Sequence, residues 1–338
     1  MSTFKSIDIG FSDCSIDDFL TLADLVDKTE FSRLWIQEGD QKSAWTLAAL
    51  ALRSTKRVKV ALGVTSPVRR HPQILAIEAA TINEISVDRL VLGVGIATGA
   101  IRNYGLQMEP LPAMRDTVAI IRGLLADDTT EFSYSGKAFS TRRPQKPFRI
   151  PNLPIFLGAI GPRMLDLAGE VADGVILTRR GCFSAEYQKY AIDRVINSAR
   201  TKNRDPNSLS FVGFFETSIS EDANLARQFV KKILGTYTIP ELPDSVSNLV
   251  DVNENEIQTI KHRYSEGDFE GAIEAVTDEM VDMFAIAGTP TQCAEKLERF
   301  ANTGLNTPIL FIHGPDKMKA AKLAAEQIIP RFTTRMGN

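Results

Sequence analysis

The chain has 338 residues, 24% of them charged and 43% hydrophobic, with a formal net charge of −3. This is the composition of an ordinary soluble globular protein. It argues against general nucleic-acid binding, which needs a concentrated basic surface, and no apolar run reaches the ~20 residues of a membrane span. The three cysteines, Cys14, Cys182 and Cys293, fit no CxxC spacing and read as reduced thiols. The amino-terminal stretch MSTFKSIDIGFSD carries an acid among its apolar residues and lacks a signal-peptide core, so a cytoplasmic location is expected.

Short apolar runs alternate with longer amphipathic ones along the chain. A strand over 6–11 is followed by helical spacing at Phe19, Leu22, Ala23 and Val26, with Ser15 as N-cap. A second strand at 32–36 precedes a helix at 44–54, and a third at 57–62 precedes a helix at 72–85 with Pro72 in its first turn. The fourth strand, 88–95, leads to a helix at 112–126. Residues 130–141 then read as a hairpin around Ser135-Gly136.

The alternation resumes with strands at 153–159 and 173–177 around a helix at 162–172, followed by a long helix at 183–202. A seventh strand at 209–216 precedes a helix at 221–235. Residues 236–285 break the rhythm; with helical stretches at 254–264 and 269–285 they read as an insertion capping the fold. A helix at 289–304, an eighth strand at 307–312 and a last helix at 315–332 complete the chain. Eight strand-then-helix units predict one α/β domain over 1–338, a (β/α)8 TIM barrel. An open doubly wound sheet is the other arrangement of such units, but the chain has no dinucleotide fingerprint.

In such a barrel the working residues lie at the carboxyl ends of the strands. That rule selects Asp8 to Asp13, Gln37 to Asp40, Gly63 to His71, Gly93 to Asn103, Gly158 to Gly161, Thr178 to Arg180, Glu216 and His313-Gly314. Glycines in three of these segments would let a flat ring or a phosphate approach the backbone. Gly158, Ala159 and Gly161 lead into a helix opened by Pro162, whose first amides suit a phosphate; the same residues would also serve a plain strand-to-helix turn. Thr178, Arg179 and Arg180 suit a carboxylate or phosphate, or form a solvated basic turn. No histidine pair has metal-ligand spacing, so no metal is expected.

Five segments in order carry a resemblance. GVTSPVRRHP, AAxxNEIxxDRLVLGVG, PxPAMRDTVAIIRGLL, PIFLGAIGPRMLDLAGEVADGVIL and the tail GDFEGAIEAVTDEMVDMFAIAGTP with HGPDKMKAAKLAAE resemble the bacterial luciferase-like superfamily. The likeness is greatest to the F420-dependent methylenetetrahydromethanopterin reductases and runs from about residue 7 to 332. It implies a luciferase-like barrel with F420 as coenzyme, FMN being the alternative, and a hydride transfer to or from a small molecule such as a reduced pterin. It also implies a dimer or higher homo-oligomer.

By the same resemblance, a non-proline cis peptide at Gly63–Val64 would support the ring from behind, and Thr65 and Ser66 would meet its polar edge. Gly95, Ile96, Ala97 and Thr98 would border it. The phosphate would sit at Gly158, Ala159 and Gly161. Apart from the resemblance, the strand-end rule adds Thr178 to the coenzyme's candidate contacts and Arg179 and Arg180 to the substrate's.

The chain departs from the family's acids. Glu38 and Gly39 stand where many members have an Asp-His pair, the loop after strand four reads IATGAIRN without its glutamate, and Gly10 replaces the glutamate of strand one. Glu38 and Asp8 are therefore the candidate proton donors. Two competing readings are an FMN-dependent monooxygenase and a non-catalytic barrel that keeps the coenzyme pocket.

Overall fold

The computed structural model describes residues 4–39, 41–126, 131–143, 149–178, 184–242 and 252–333. They fall into two compact units, Met1–Arg33 with Leu177–Arg194 and Phe211–Asn338, and Leu34–Ile176 with Val195–Ser210.

The first unit opens with β1 (Asp8–Phe11) and α1 (Ile16–Asp27), where the Ser15 hydroxyl accepts from the Asp18 amide at 3.0 Å as its N-cap role requires. The second unit holds most of β2 (Arg33–Ile36), then α2 (Ala44–Ser54), β3 (Lys59–Thr65), α3 (Pro72–Ile85) and β4 (Leu90–Val94). It continues with α4 (Thr98–Asn103), α5 (Pro110–Leu125), an antiparallel hairpin of β5 (Phe132–Ser135) and β6 (Ser140–Arg143), β7 (Ile155–Ala159) and α6 (Pro162–Val171). Next come β8 (Gly174–Leu177) and α7 (Ala185–Thr201). The first unit then supplies β9 (Ser210–Ile219), α8 (Ala223–Ile233) and a π-helical turn at Leu234–Thr238. It ends with α9 (Glu254–Ser265), α10 (Phe269–Glu274), α11 (Asp278–Phe284), β10 (Ala285–Gly288), α12 (Pro290–Glu298), β11 (Thr307–Ile312), α13 (Lys317–Leu323) and α14 (Ile329–Thr333).

The strand order β10-β9-β11-β1-β2-β3-β4-β7-β8, with a further β9–β8 pairing, is that of a closed parallel (β/α)8 barrel to which β10 adds an edge strand. The strands read as continuous apolar runs because helices cover their outer faces. Asp8, Ile9, Gly10 and Phe11 of β1 are all buried, as are all residues of β11.

Several elements differ from the sequence reading; strand β9 runs on to Ile219 and α12 ends at Glu298, and three further differences stand out. The expected helix over 269–285 is two short helices followed by β10, which pairs in parallel with β9 from Ala285↔Glu216 to Gly288↔Ile219. The run Ala285-Ile286-Ala287 is too short for periodicity to separate strand from helix. Strand β3 does not stop at residue 62 but continues through Thr65. The loop after β4 contains α4, entered through Ala97 with φ 50°.

Candidate active site

The second unit concentrates the candidate residues at the ends of β2, β3 and β4. The register between β3 and β4 shifts between Leu62 and Thr65, which marks a bulge, and the Gly63–Val64 peptide is cis. Two glycines of β4 and its loop let the chain approach that bulge. A methyl group at Gly93 would lie 2.1 Å from the Leu62 carbonyl oxygen, and one at Gly95 would lie 2.5 Å from Val64 Cγ2. The Gly95 amide donates to the Thr65 carbonyl at 2.9 Å, and Ser66 Oγ donates to the Ile96 carbonyl at 3.2 Å. Thr65 and Ser66 are thereby joined to the Gly95–Ile96 segment, which runs on through Ala97 to Thr98 at the start of α4.

Glu38 lies just past the end of β2, and its side chain is only 4% exposed. Its Oε2 accepts from Thr65 Oγ1 at 2.9 Å and from the Ser66 amide at 3.2 Å. Trp45 Nε1 in turn donates to Thr65 Oγ1 at 3.2 Å. The other oxygen, Oε1, accepts a close charge-assisted bond from Arg70 Nη1. Burial of a carboxylate without such partners would be strongly unfavourable. Arg70 also reaches Glu78 Oε1 through Nε at 3.2 Å, while Arg69 holds the Gly39 carbonyl at 3.3 Å and lies over the Tyr104 ring, 5.8 Å from its centre.

At the end of β7, Gly161 is the N-cap of α6 and supplies no side-chain cap. A methyl group there would touch nothing within 4 Å. Helix amides in such a first turn have no intrahelical partner and favour an anion. Gly158 and Ala159 are the last two residues of β7.

In the first unit, Thr178 follows β8, and its Oγ1 is buried with no hydrogen-bond partner among the described residues. Arg179 and Arg180 lie outside the described residues. Asp8 is fully buried at the start of β1; its Oδ2 accepts from Arg33 Nε at 2.6 Å, and Arg33 Nη2 donates to Thr307 Oγ1 at 3.1 Å. The structure thus puts Asp8 in an ion pair with Arg33 and puts Glu38 in a separate network in the other unit.

The strand-end rule singled out Glu216 and His313 one at a time but not as a pair. His313 Nε2 and Glu216 Oε2 are 2.5 Å apart, and Thr238 Oγ1 lies 3.4 Å from Glu216 Oε1. The two residues are 97 positions apart in sequence, so only the β9–β11 register, Phe311↔Glu216 and Ile312↔Thr217, brings them together. An arginine partner for Glu38 is among the sequence's possibilities, but nothing local identifies it as Arg70 of the VRRHP segment, nor Glu78 as the second acceptor of that arginine. Among the described residues no group of three His, Cys, Asp or Glu side chains is placed to hold a metal ion.

In the second unit, Gly95 lets its own segment close onto Val64, and the amino end of α6, which has no side-chain cap, fits the phosphate of a phosphorylated coenzyme. In the first unit, Thr178 keeps a buried hydroxyl with no hydrogen-bond partner among the described residues.

Comparison with known proteins places the chain in a family. The family model for luciferase-like monooxygenases matches residues 5–307. A 5,10-methylenetetrahydromethanopterin reductase of Archaeoglobus fulgidus is 30% identical over 320 residues, covering 91% of this chain and 93% of that protein. The reductase of Methanolobus tindarius is 31% identical over 321 residues, covering 91% and 94%. The solved structure of the coenzyme F420-dependent tetrahydromethanopterin reductase of Methanopyrus kandleri superposes with a TM-score of 0.87 at 25% identity, covering 98% of this chain and all of that one. The chain belongs to the luciferase-like monooxygenase family.

Proposed function

We propose that the chain is an F420-dependent oxidoreductase of the methylenetetrahydromethanopterin reductase type, acting on a one-carbon unit carried by a reduced pterin. The observation that carries this reading is the likeness to those reductases over nine-tenths of both chains, 91% of this one and 93% of the Archaeoglobus fulgidus protein. We read the whole chain as one working barrel domain, cytoplasmic and homo-oligomeric.

When bound, the deazaflavin supplies the hydride donor or acceptor at its C5. The chain's residues supply position and a proton. In the second unit, Gly63, Val64, Thr65 and Ser66 would support the ring, Gly95, Ile96, Ala97 and Thr98 would border it, and Gly158, Ala159 and Gly161 with the first turn of α6 would take the phosphate. In the first unit, the Thr178 hydroxyl would meet a polar group of a ligand; Arg179 and Arg180, which lie outside the described residues, stay candidates for the substrate's anionic groups on the sequence alone.

Reduction of a methylene bridge between two nitrogens places a hydride on the carbon, breaks one carbon–nitrogen bond and puts a proton on the released nitrogen. Glu38 is our candidate to hold and deliver that proton, because its carboxyl is buried and is fixed in place by Thr65, Ser66 and Arg70. Asp8 is the second candidate. Its ion pair with Arg33 favours a structural role, so turnover of the Asp8→Asn and Glu38→Gln variants separates the two.

The coenzyme assignment is tested by titrating the purified protein with F420 and FMN side by side. Saturable F420 binding, with turnover of methylenetetrahydromethanopterin and no oxygen uptake, is the expected result. Tight FMN binding without F420 binding overturns the assignment in favour of a monooxygenase. F420 binding without turnover of any reduced pterin points to a non-catalytic coenzyme-binding protein. Sedimentation of the purified protein decides the oligomeric state.

A further inference from the structure

Glu38 does not hold Arg70 alone. Arg70 Nη1 donates to Glu38 Oε1, and Arg70 Nε donates to Glu78 Oε1 at 3.2 Å from the second turn of α3. Two carboxylates therefore share one guanidinium. The second oxygen of Glu78, Oε2, is buried with no hydrogen-bond partner among the described residues. Glu78 is the carboxylate of the two with access to water, its side chain being 30% exposed against 4% for Glu38. Burial raises the Glu78 carboxyl above its ordinary range; Arg70 opposes that shift and the neighbouring Glu38 charge adds to it.

We infer that Glu78 is a positioning residue for Glu38, acting by competing for the guanidinium of Arg70. This inference rests on the role proposed above for Glu38. With Glu78 ionised, Arg70 divides its donors between two acceptors. With Glu78 protonated, Oε1 becomes a weaker acceptor and Arg70 engages Glu38 undivided.

The change has a route into the site. Glu38 Oε2 accepts from Thr65 Oγ1, and Thr65 Oγ1 accepts from Trp45 Nε1, so one hydrogen-bonded chain runs Glu78–Arg70–Glu38–Thr65–Trp45. The charged groups around Glu38 are few. Arg70 comes from the loop after β3 and Glu78 from α3, while Arg69 is engaged at the adjacent Gly39 carbonyl. His71 is turned to the Gln73 amide and the Phe139 ring. No other charged side chain hydrogen-bonds Glu38 among the described residues.

Trp45 provides a reporter that needs no coenzyme. The experiment records tryptophan fluorescence of the free protein as a function of pH, from acid to neutral, to catch the titration of a carboxyl raised by burial. The wild type is compared with Glu78→Gln, which fixes the neutral state, and with Glu38→Gln, which breaks the chain midway. A transition in the wild type that is lost in both variants is the expected result. A second arm follows turnover with coenzyme: Glu78→Gln is expected to lose the acid-side inflection of kcat while KM for the coenzyme stays within about twofold. A fluorescence transition with an unchanged midpoint in Glu78→Gln overturns the inference, as does the lack of any transition in the wild type. Failure of the coenzyme assignment would silence the turnover arm and leave the fluorescence arm intact, so the two failures are distinguishable.

Discussion

Gly95 lies against Val64 so closely that residue 95 has no room for a side chain. A methyl group there would sit 2.5 Å from Val64 Cγ2 and 3.2 Å from Val64 Cβ. The Gly95 amide is meanwhile bonded to the Thr65 carbonyl at 2.9 Å, so the loop cannot back away without losing that bond. Gly95→Ala is expected to destabilise the protein by about 1–3 kcal/mol, the usual cost of overpacking. We expect it to weaken coenzyme binding on the order of tenfold, about 1.4 kcal/mol. Val64→Ala removes the colliding methyl, so the double variant should regain most of the stability. Urea melts and a fluorescence titration measure both effects. A double variant no more stable than Gly95→Ala alone would show that this contact does not set the spacing.

The hairpin between α5 and β7 is fastened by one buried acid. Asp116 on α5 accepts from the Tyr134 hydroxyl at 2.8 Å and from the amides of Ala138 and Phe139 at 2.7 and 3.0 Å. Phe139 packs edge-on against His71, and the Thr141 hydroxyl donates to Gln73 at 2.5 Å, so the hairpin also braces the start of α3. Asp116→Ala leaves two amides without acceptors. We expect a stability loss of about 1–3 kcal/mol and faster hydrogen exchange at Ala138 and Phe139. Exchange rates unchanged from wild type would place the anchorage elsewhere.

Lys296 gives a pH dependence of defined sign. Burial lowers its ammonium from 10.5 to about 8, and Nζ donates to the Val281 carbonyl at 3.0 Å. Between those two values the unfolded chain binds the extra proton and the folded chain does not. Stability therefore rises with pH from about 8 toward 10.5 on account of this residue, with a slope of at most about 1.4 kcal/mol per pH unit. Urea midpoints of Lys296→Met, taken relative to wild type, should fall across that window. Parallel midpoints for the two proteins would rule the effect out.

The fold is legible in the sequence because burial on both faces makes each barrel strand a short apolar run between amphipathic helices. Pro72, Pro162 and Ser15 mark helix starts that the structure places at the same residues. Legibility ends where meaning depends on distant partners. Nothing local in WIQEGDQ says that Glu38 meets Arg70, 32 residues later. Nothing near Glu216 points to His313. The short elements α4 and β10 were hidden for a different reason: six residues and four residues are too few for either period to declare itself.

The Thr178 hydroxyl offers a test in which stability and binding move in opposite directions. Its Oγ1 is buried with no hydrogen-bond partner among the described residues. A buried hydroxyl left in that state costs about 1–3 kcal/mol. Thr178→Val keeps the branched shape and removes the polar atom. If the hydroxyl is kept for a ligand, the free protein should become more stable by about 1 kcal/mol, and coenzyme affinity should fall severalfold because the bound ligand loses its partner. Thr178→Ser retains the hydroxyl and should keep affinity near the wild-type value. Thermal melts of the free protein and F420 titrations of all three proteins make the comparison. A stabilised Thr178→Val variant with undiminished affinity would mean that no ligand group reaches this oxygen. A variant unchanged in both respects would mean that solvent already satisfies it.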